Sequence, residues 1–143
     1  MEVVTQWNPN GGRGAFSKKL GRAGWEDSLL AQKLPFEDWW SMQCEVLGSS
    51  ENYVVSLRDG RRVLGGAVLL PTYDAQVGKA LSVWHQFLLP EARGSTRAWR
   101  EVIRACEAAA SLAGLRFLIW THRDETTGRV YLKHKEVQNG KRC

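Results

Sequence analysis

The succession of hydrophobic periods along this chain predicts an α/β domain built on a mixed β-sheet flanked by helices. Three observations carry that expectation. Residues 53–89 alternate between apolar and polar and are punctuated at Asp59-Gly60 and again over 71–78, which reads as a three-strand meander. A stretch of helical period follows, in which Trp99, Val102, Ile103, Cys106, Ala110 and Ala113 step by three and four. A compact apolar run over 115–121 then reads as a further strand. Strand, helix and strand in short succession require a crossover, so 80–89 and 115–121 are expected as parallel neighbours in the mixed sheet.

The remaining elements follow in order. A short strand around Val3 and Val4 is closed by the turn cluster Asn8-Pro9-Asn10-Gly11-Gly12. A helical region over about 15–34 comes next, with interruptions expected near Gly21 and Gly24. Pro35 stands at a first helical position, and Phe36, Trp39, Trp40, Val46 and Leu47 give the second helix a wide apolar face that ends at Gly48-Ser49-Ser50. In the meander, Tyr53, Val55 and Leu57 alternate with Val54, Ser56 and Arg58 before the Asp59-Gly60 hairpin turn. Residues 62–70 return, with Gly65-Gly66 marking a bulge or a close approach, and 71–78 connect to the third strand. On that strand Leu81, Val83, His85, Phe87 and Leu89 are expected on one face, and Ser82, Trp84, Gln86 and Leu88 on the other. Ser95 or Thr96 caps the long helix, and Gly114 stands where a left-handed C-terminal residue belongs.

Composition narrows the class. With 143 residues, 43% of them hydrophobic and 24% charged, the sequence has the proportions of one globular domain over 1–143. No run approaches the ~20 apolar residues of a membrane span, and the start of the chain lacks a signal-peptide core, so a cytoplasmic protein is expected. Cys44, Cys106 and Cys143 contain no C-x-x-C pair, which indicates neither zinc nor a redox dithiol. Cys44 and Cys106 read as core residues, and Cys143 as an exposed thiol. The formal charge of +5 favours anionic partners: a phosphorylated cofactor, an acidic protein surface or nucleic acid. The tryptophans fall in core-like segments and read as packing mass rather than as a base-stacking platform, which puts nucleic acid last.

The chemistry concentrates in Leu88-Leu89-Pro90-Glu91-Ala92-Arg93-Gly94-Ser95-Thr96-Arg97-Ala98. A strand that runs into a turn and opens a helix presents free backbone N–H groups at the positive end of a helix dipole, an arrangement that takes phosphate oxygens. Arg93 and Arg97 add cationic donors beside it. This segment resembles the coenzyme A pyrophosphate loop of the acetyl-coenzyme A-dependent N-acetyltransferases, the GNAT superfamily: a strand, a proline, then Arg/Gln-x-x-Gly-x-Gly/Ala. Arg93 matches the first position and Ala98 the last, while Thr96 stands in place of the central glycine. The chain is similar to the family from about 53 to 121, and before that in element order alone. The resemblance implies a GNAT-like acyl-CoA N-acyltransferase fold with acetyl-CoA as co-substrate. It implies cofactor binding at Phe87, Leu88, Arg93, Gly94, Ser95, Thr96, Arg97 and Ala98, with backbone groups of Phe87 and Leu88 meeting the pantetheine arm. It also implies an amine acceptor on a small molecule or a protein. Small divergent members of this size occur in tailed bacteriophages.

In the family a further helix begins near an Asn and ends in Leu-Tyr-x-Lys, whose Tyr protonates the departing thiolate. Asp124 lies seven residues before Tyr131 in Val130-Tyr131-Leu132-Lys133, so the resemblance implies Tyr131 as the acid. Thr126-Thr127-Gly128 is poor helix sequence, and 129–137 reads as either helix or strand, with the strand favoured. His85, on the strand that borders the cofactor, has a pKa suited to a base; the alternative is a half-buried strand histidine. Glu45 and Glu51 rank behind it. With no cysteine expected near the cofactor, the acetyl group would pass by direct attack of the amine in a ternary complex. The altered loop and the open question at Tyr131 sustain a second reading, a catalytically silent GNAT-like protein in phage assembly, structure or host-protein binding, with an acidic protein as partner.

Overall fold

The computed structural model of the chain describes residues 1–123, 126, 127 and 129–137. Six strands form one sheet in chain order: β1 (Glu2–Asn8), β2 (Asn52–Asp59), β3 (Arg62–Asp74), β4 (Gly78–Leu88), β5 (Phe117–Arg123) and β6 (Val130–Glu136). Neighbours are antiparallel throughout, except that β4 and β5 run parallel. Helix α3 (Thr96–Leu112) makes the crossover and covers one face of the sheet; α1 (Lys18–Glu26) and α2 (Phe36–Ser49) cover the other. The expected mixed α/β sheet with its parallel pair is therefore present. Among the described residues no helix is long and apolar enough to cross a membrane.

Several local expectations are corrected. Helix α1 runs straight through Gly21 and Gly24, and both glycines serve close approach. A Cβ at Gly21 would overlap the ring of Trp40, and one at Gly24 would overlap His85 Nε2. The helix tolerates their low propensity because they let it sit directly on α2 and β4. Strand β3 does not stop at Leu70 but continues through Pro71 to Asp74. The neighbouring β2 pairs no further than Leu69, so the missing N–H of Pro71 interrupts no ladder on that side. The close approach expected at Gly65-Gly66 is present: a Cβ on Gly66 would strike the Val55 carbonyl, and one on Gly65 would strike Leu88.

The most consequential correction lies in β4. The register with β3 slips between Val68/His85 and Leu69/Val83, so Trp84 is an extra, bulged residue. Simple alternation fails there. Leu81 belongs to the core under α3, and Val83 packs against it, whereas Phe87 and Leu89 belong to the core under α1 and α2. The bulge thus transfers His85, Phe87 and Leu89 to the α1/α2 face and gives Gln86 and Leu88 to the α3 face.

Candidate functional site: a wedge between two parallel strands

Only Leu81↔Leu118 and Ser82↔Ile119 join β4 to β5, while β3 and β4 pair along nearly their full length. Past Ser82 the two parallel strands diverge. The gap is a cavity of about 230 Å³, lined by Val83 and Gln86 of β4, Leu118 and Trp120 of β5, and Trp99, Ile103 and Cys106 of α3. Because α3 runs back against both strands, its N-terminal turn lies at their diverging carboxyl ends, where open α/β sheets take ligands.

The helix opening is built as expected. Ser95 caps α3, its hydroxyl accepting from the Ala98 amide at 3.1 Å. Among the described residues no partner takes the amide N–H of Thr96 or Arg97, and both side chains are exposed. Gly94 is also exposed, and Ala98 is buried in the core beneath. Thr96, the residue standing for a glycine, is exposed and keeps its own N–H without a partner among the described residues.

Arg93 has a different position from the one its charge suggests. Its Nε donates to the Leu88 carbonyl at 3.0 Å and its Nη2 to the Ala23 carbonyl at 2.7 Å, with Asp27 3.8 Å away. It ties the end of β4 to the end of α1, and its hydrogen-bonding capacity is directed inward. The Leu89 amide donates to Leu64 of β3. Alternation then places the backbone groups of Phe87 in the ladder with β3 and turns those of Gln86 and Leu88 toward the wedge. The Phe87 side chain is buried under α1 and α2.

His85 is not brought to the wedge. Its ring lies among Phe16, Trp39 and Phe87 on the opposite face, with Nε2 sealed from solvent and, among the described residues, without a partner. Burial pushes its pKa down to about 4, so it is neutral at physiological pH. Glu51 accepts from the Trp7 indole at 2.9 Å and also lies away from the wedge, as does exposed Glu45 on α2.

Tyr131 lies on β6, in register with His122. The favoured strand is present, and Asp124, the start of the alternative helix, lies outside the described residues, as does Cys143. Alternation puts Tyr131 on the same face as Lys135, which pairs with Glu107 of α3. It is diagonal to Trp120, whose direct partner is Lys133. Tyr131 is 44% exposed and is not among the residues that line the wedge.

Cys106 stands nearer the candidate site than the sequence suggested. The thiol lines the wedge. Burial, assisted by Glu107, pushes its pKa up to about 12, so it remains a protonated, non-nucleophilic group. Direct attack therefore stays open on a different ground from the absence of cysteine. Gln86, Trp99, Ile103 and Trp120 were also missed as lining. The signal was available in α3, where Trp99, Ile103 and Cys106 form a stripe at i, i+4 and i+7.

The sequence matches no protein-family model and no curated protein. Solved structures do match. One, from Desulfovibrio desulfuricans, is described as an acetyltransferase of the GNAT family; it is 15% identical, with a TM-score of 0.51, over 85% of this chain and 74% of its own. Another, an acetyltransferase from Trypanosoma brucei, is 13% identical, with a TM-score of 0.51, over 88% of this chain and 86% of its own. The fold is that of the GNAT acetyltransferases. Within it, the diverging strands and the opening of α3 form the candidate site.

Proposed function

We propose that the chain is an acetyl-CoA-dependent N-acyltransferase that delivers an acetyl group to an amine by direct attack in a ternary complex. The observation that carries this reading is the divergence of β4 and β5 beyond Ser82 and Ile119, with the uncommitted amides of Thr96 and Arg97 at its mouth. An apolar slot that ends at helix-terminal donors fits a long, flexible thioester with a phosphorylated end. The bound thioester supplies an activated acyl group. The Thr96 and Arg97 amides, with the Arg97 guanidinium, hold phosphate oxygens. The outward backbone groups of Gln86 and the outward N–H of Leu88, whose carbonyl already accepts from Arg93, align the arm, and Trp99, Ile103 and Trp120 exclude water around it. Alignment of the acceptor amine beside the carbonyl is the main source of acceleration. Tyr131 Oη donates the proton to the departing thiolate, and solvent takes the proton from the amine, because His85 Nε2 is enclosed.

Calorimetric titration with acetyl-CoA tests the binding half. The wild type binds, and Arg97→Glu binds at least tenfold more weakly, since a repelling charge replaces a donor. Absence of binding at millimolar ligand removes the cofactor and favours a silent protein on the same fold. For the chemistry, Tyr131→Phe should lower turnover roughly tenfold or more while affinity is retained, within reach of general acid catalysis. An unchanged rate would take Tyr131 out of the mechanism.

A further inference from the structure

A second concavity lies on the other side of the β4 terminus, between the start of α1 and the β2–β3 hairpin. It encloses about 370 Å³, within the ~300–1,000 Å³ range of ligand pockets. Leu20, Val63 and Leu89 contribute its apolar floor, and Lys19, Arg58 and Arg62 stand around it. Arg62 pairs with Glu91. Arg58 Nε donates to the Ser56 hydroxyl at 3.3 Å, and among the described residues neither Arg58 nor Lys19 meets a carboxylate. Ser17 caps α1 here, its hydroxyl accepting from the Leu20 amide at 3.3 Å, so the positive end of that helix faces the same groove.

We infer that this groove is a docking site for an acidic, leucine-bearing segment of a partner protein. The apolar floor calls for aliphatic side chains, and Lys19 and Arg58, neither in an ion pair among the described residues although Glu2 stands opposite Arg58 on β1, call for carboxylates between them. Charge complementarity of this kind steers encounter and fixes register. Among the described residues no aromatic ring lines the groove, so there it lacks the stacking surface that single-stranded nucleic acid uses. The inference is independent of acyl transfer, because none of its residues lines the wedge.

Fluorescence anisotropy with a labelled peptide of alternating Glu and Leu tests it directly. Wild type binds the peptide, and binding weakens as salt is raised. The Lys19→Gln/Arg58→Gln variant, which keeps polar side chains, binds at least fivefold more weakly, and Lys19→Glu/Arg58→Glu at least tenfold. The matching charge change on the outer face of α3, Arg100→Glu/Arg104→Glu, leaves binding within twofold. Thermal melts establish that each variant is folded. No binding at millimolar peptide overturns the inference. An equal loss from the α3 variant also overturns it, since attraction would then be a property of net charge. Tighter binding of a thymidine oligonucleotide through Lys19 and Arg58 would reassign the groove to nucleic acid.

Discussion

Under α1 and α2 the core is made of rings in contact. Phe16 meets Trp40, His85 and Phe87 at centroid distances of 5.5, 5.9 and 5.0 Å, and Phe36 stacks on Trp40 at 6.3 Å. Under α3 the contact is made by small residues, Ala98, Ala105, Ala109 and Ala110, against Val55, Leu57, Leu69 and Leu81. Large rings leave no slack and admit the helix only where Gly21 and Gly24 remove a side chain. Alanines bring α3 close to β2 and β3, yet where β4 and β5 part the same helix turns Trp99 and Ile103 into a gap. The interior beneath α1 and α2 is packed with rings, whereas beneath α3 the sheet itself opens between two strands.

The comparison can be broken most forcefully at Phe16, which is fully buried. Phe16→Ala should lower unfolding free energy by about 3–5 kcal/mol, the usual cost of emptying an aromatic site, as read by urea titration. A loss below ~1 kcal/mol would mean that the aromatic face can collapse and is not rigidly filled.

Acid probes the same layer. The pKa of His85 is lowered from 6.5 to about 4 by burial, so the unfolded chain takes the proton more readily than the folded one. The stability contributed by neutral His85 is complete above pH ~6.5 and is lost as pH falls toward ~4, by about 3 kcal/mol in all. Urea titrations across that window should show the decline, and His85→Leu should flatten it. A variant with the wild-type slope would assign the decline to carboxylates instead.

A smaller effect is expected at Gly21→Ala. The added methyl overlaps Trp40, an overpacking cost of about 1–3 kcal/mol, against a gain of about 1 kcal/mol in helix propensity. A net loss of up to about 2 kcal/mol in thermal or urea unfolding would support close approach; stabilisation would contradict it. On the α3 face, Ile103→Ala should cost less than ~1 kcal/mol, because Ile103 is already 42% exposed. The same variant should weaken acetyl-CoA affinity severalfold by calorimetry, separating a residue that lines the wedge from one that holds the fold.

What was legible in the sequence follows the same division. Strand order, the crossover and the capped α3 were readable because each rests on a local signal: period, turn chemistry, a serine before a helical stripe. The face of His85 was not, because a bulge at Trp84 shifts the alternation by one residue and depends on pairing with β3. The glycines of α1 read as breaks because propensity is local, whereas their reason is a tryptophan and a histidine distant in sequence. Arg93 carried the expected charge in the expected turn. Only the folded chain shows its guanidinium engaged with the carbonyls of Leu88 and Ala23.

The two-pair junction between β4 and β5 also divides the sheet into unequal parts. Strands β1 to β4 form an antiparallel block of successive pairings, and β5 with β6 forms a hairpin held to it by Leu81↔Leu118, Ser82↔Ile119, the underside of α3 and the contact of His134 Nε2 with Asp74 at the end of β3, 3.1 Å long. Few hydrogen bonds must break for the hairpin to part from the block. In native-state hydrogen exchange, the amides of β5 and β6 would then open together, at a lower free energy than those of β2 and β3. The seam that gives the molecule its wedge is thus also its weakest line of cooperativity.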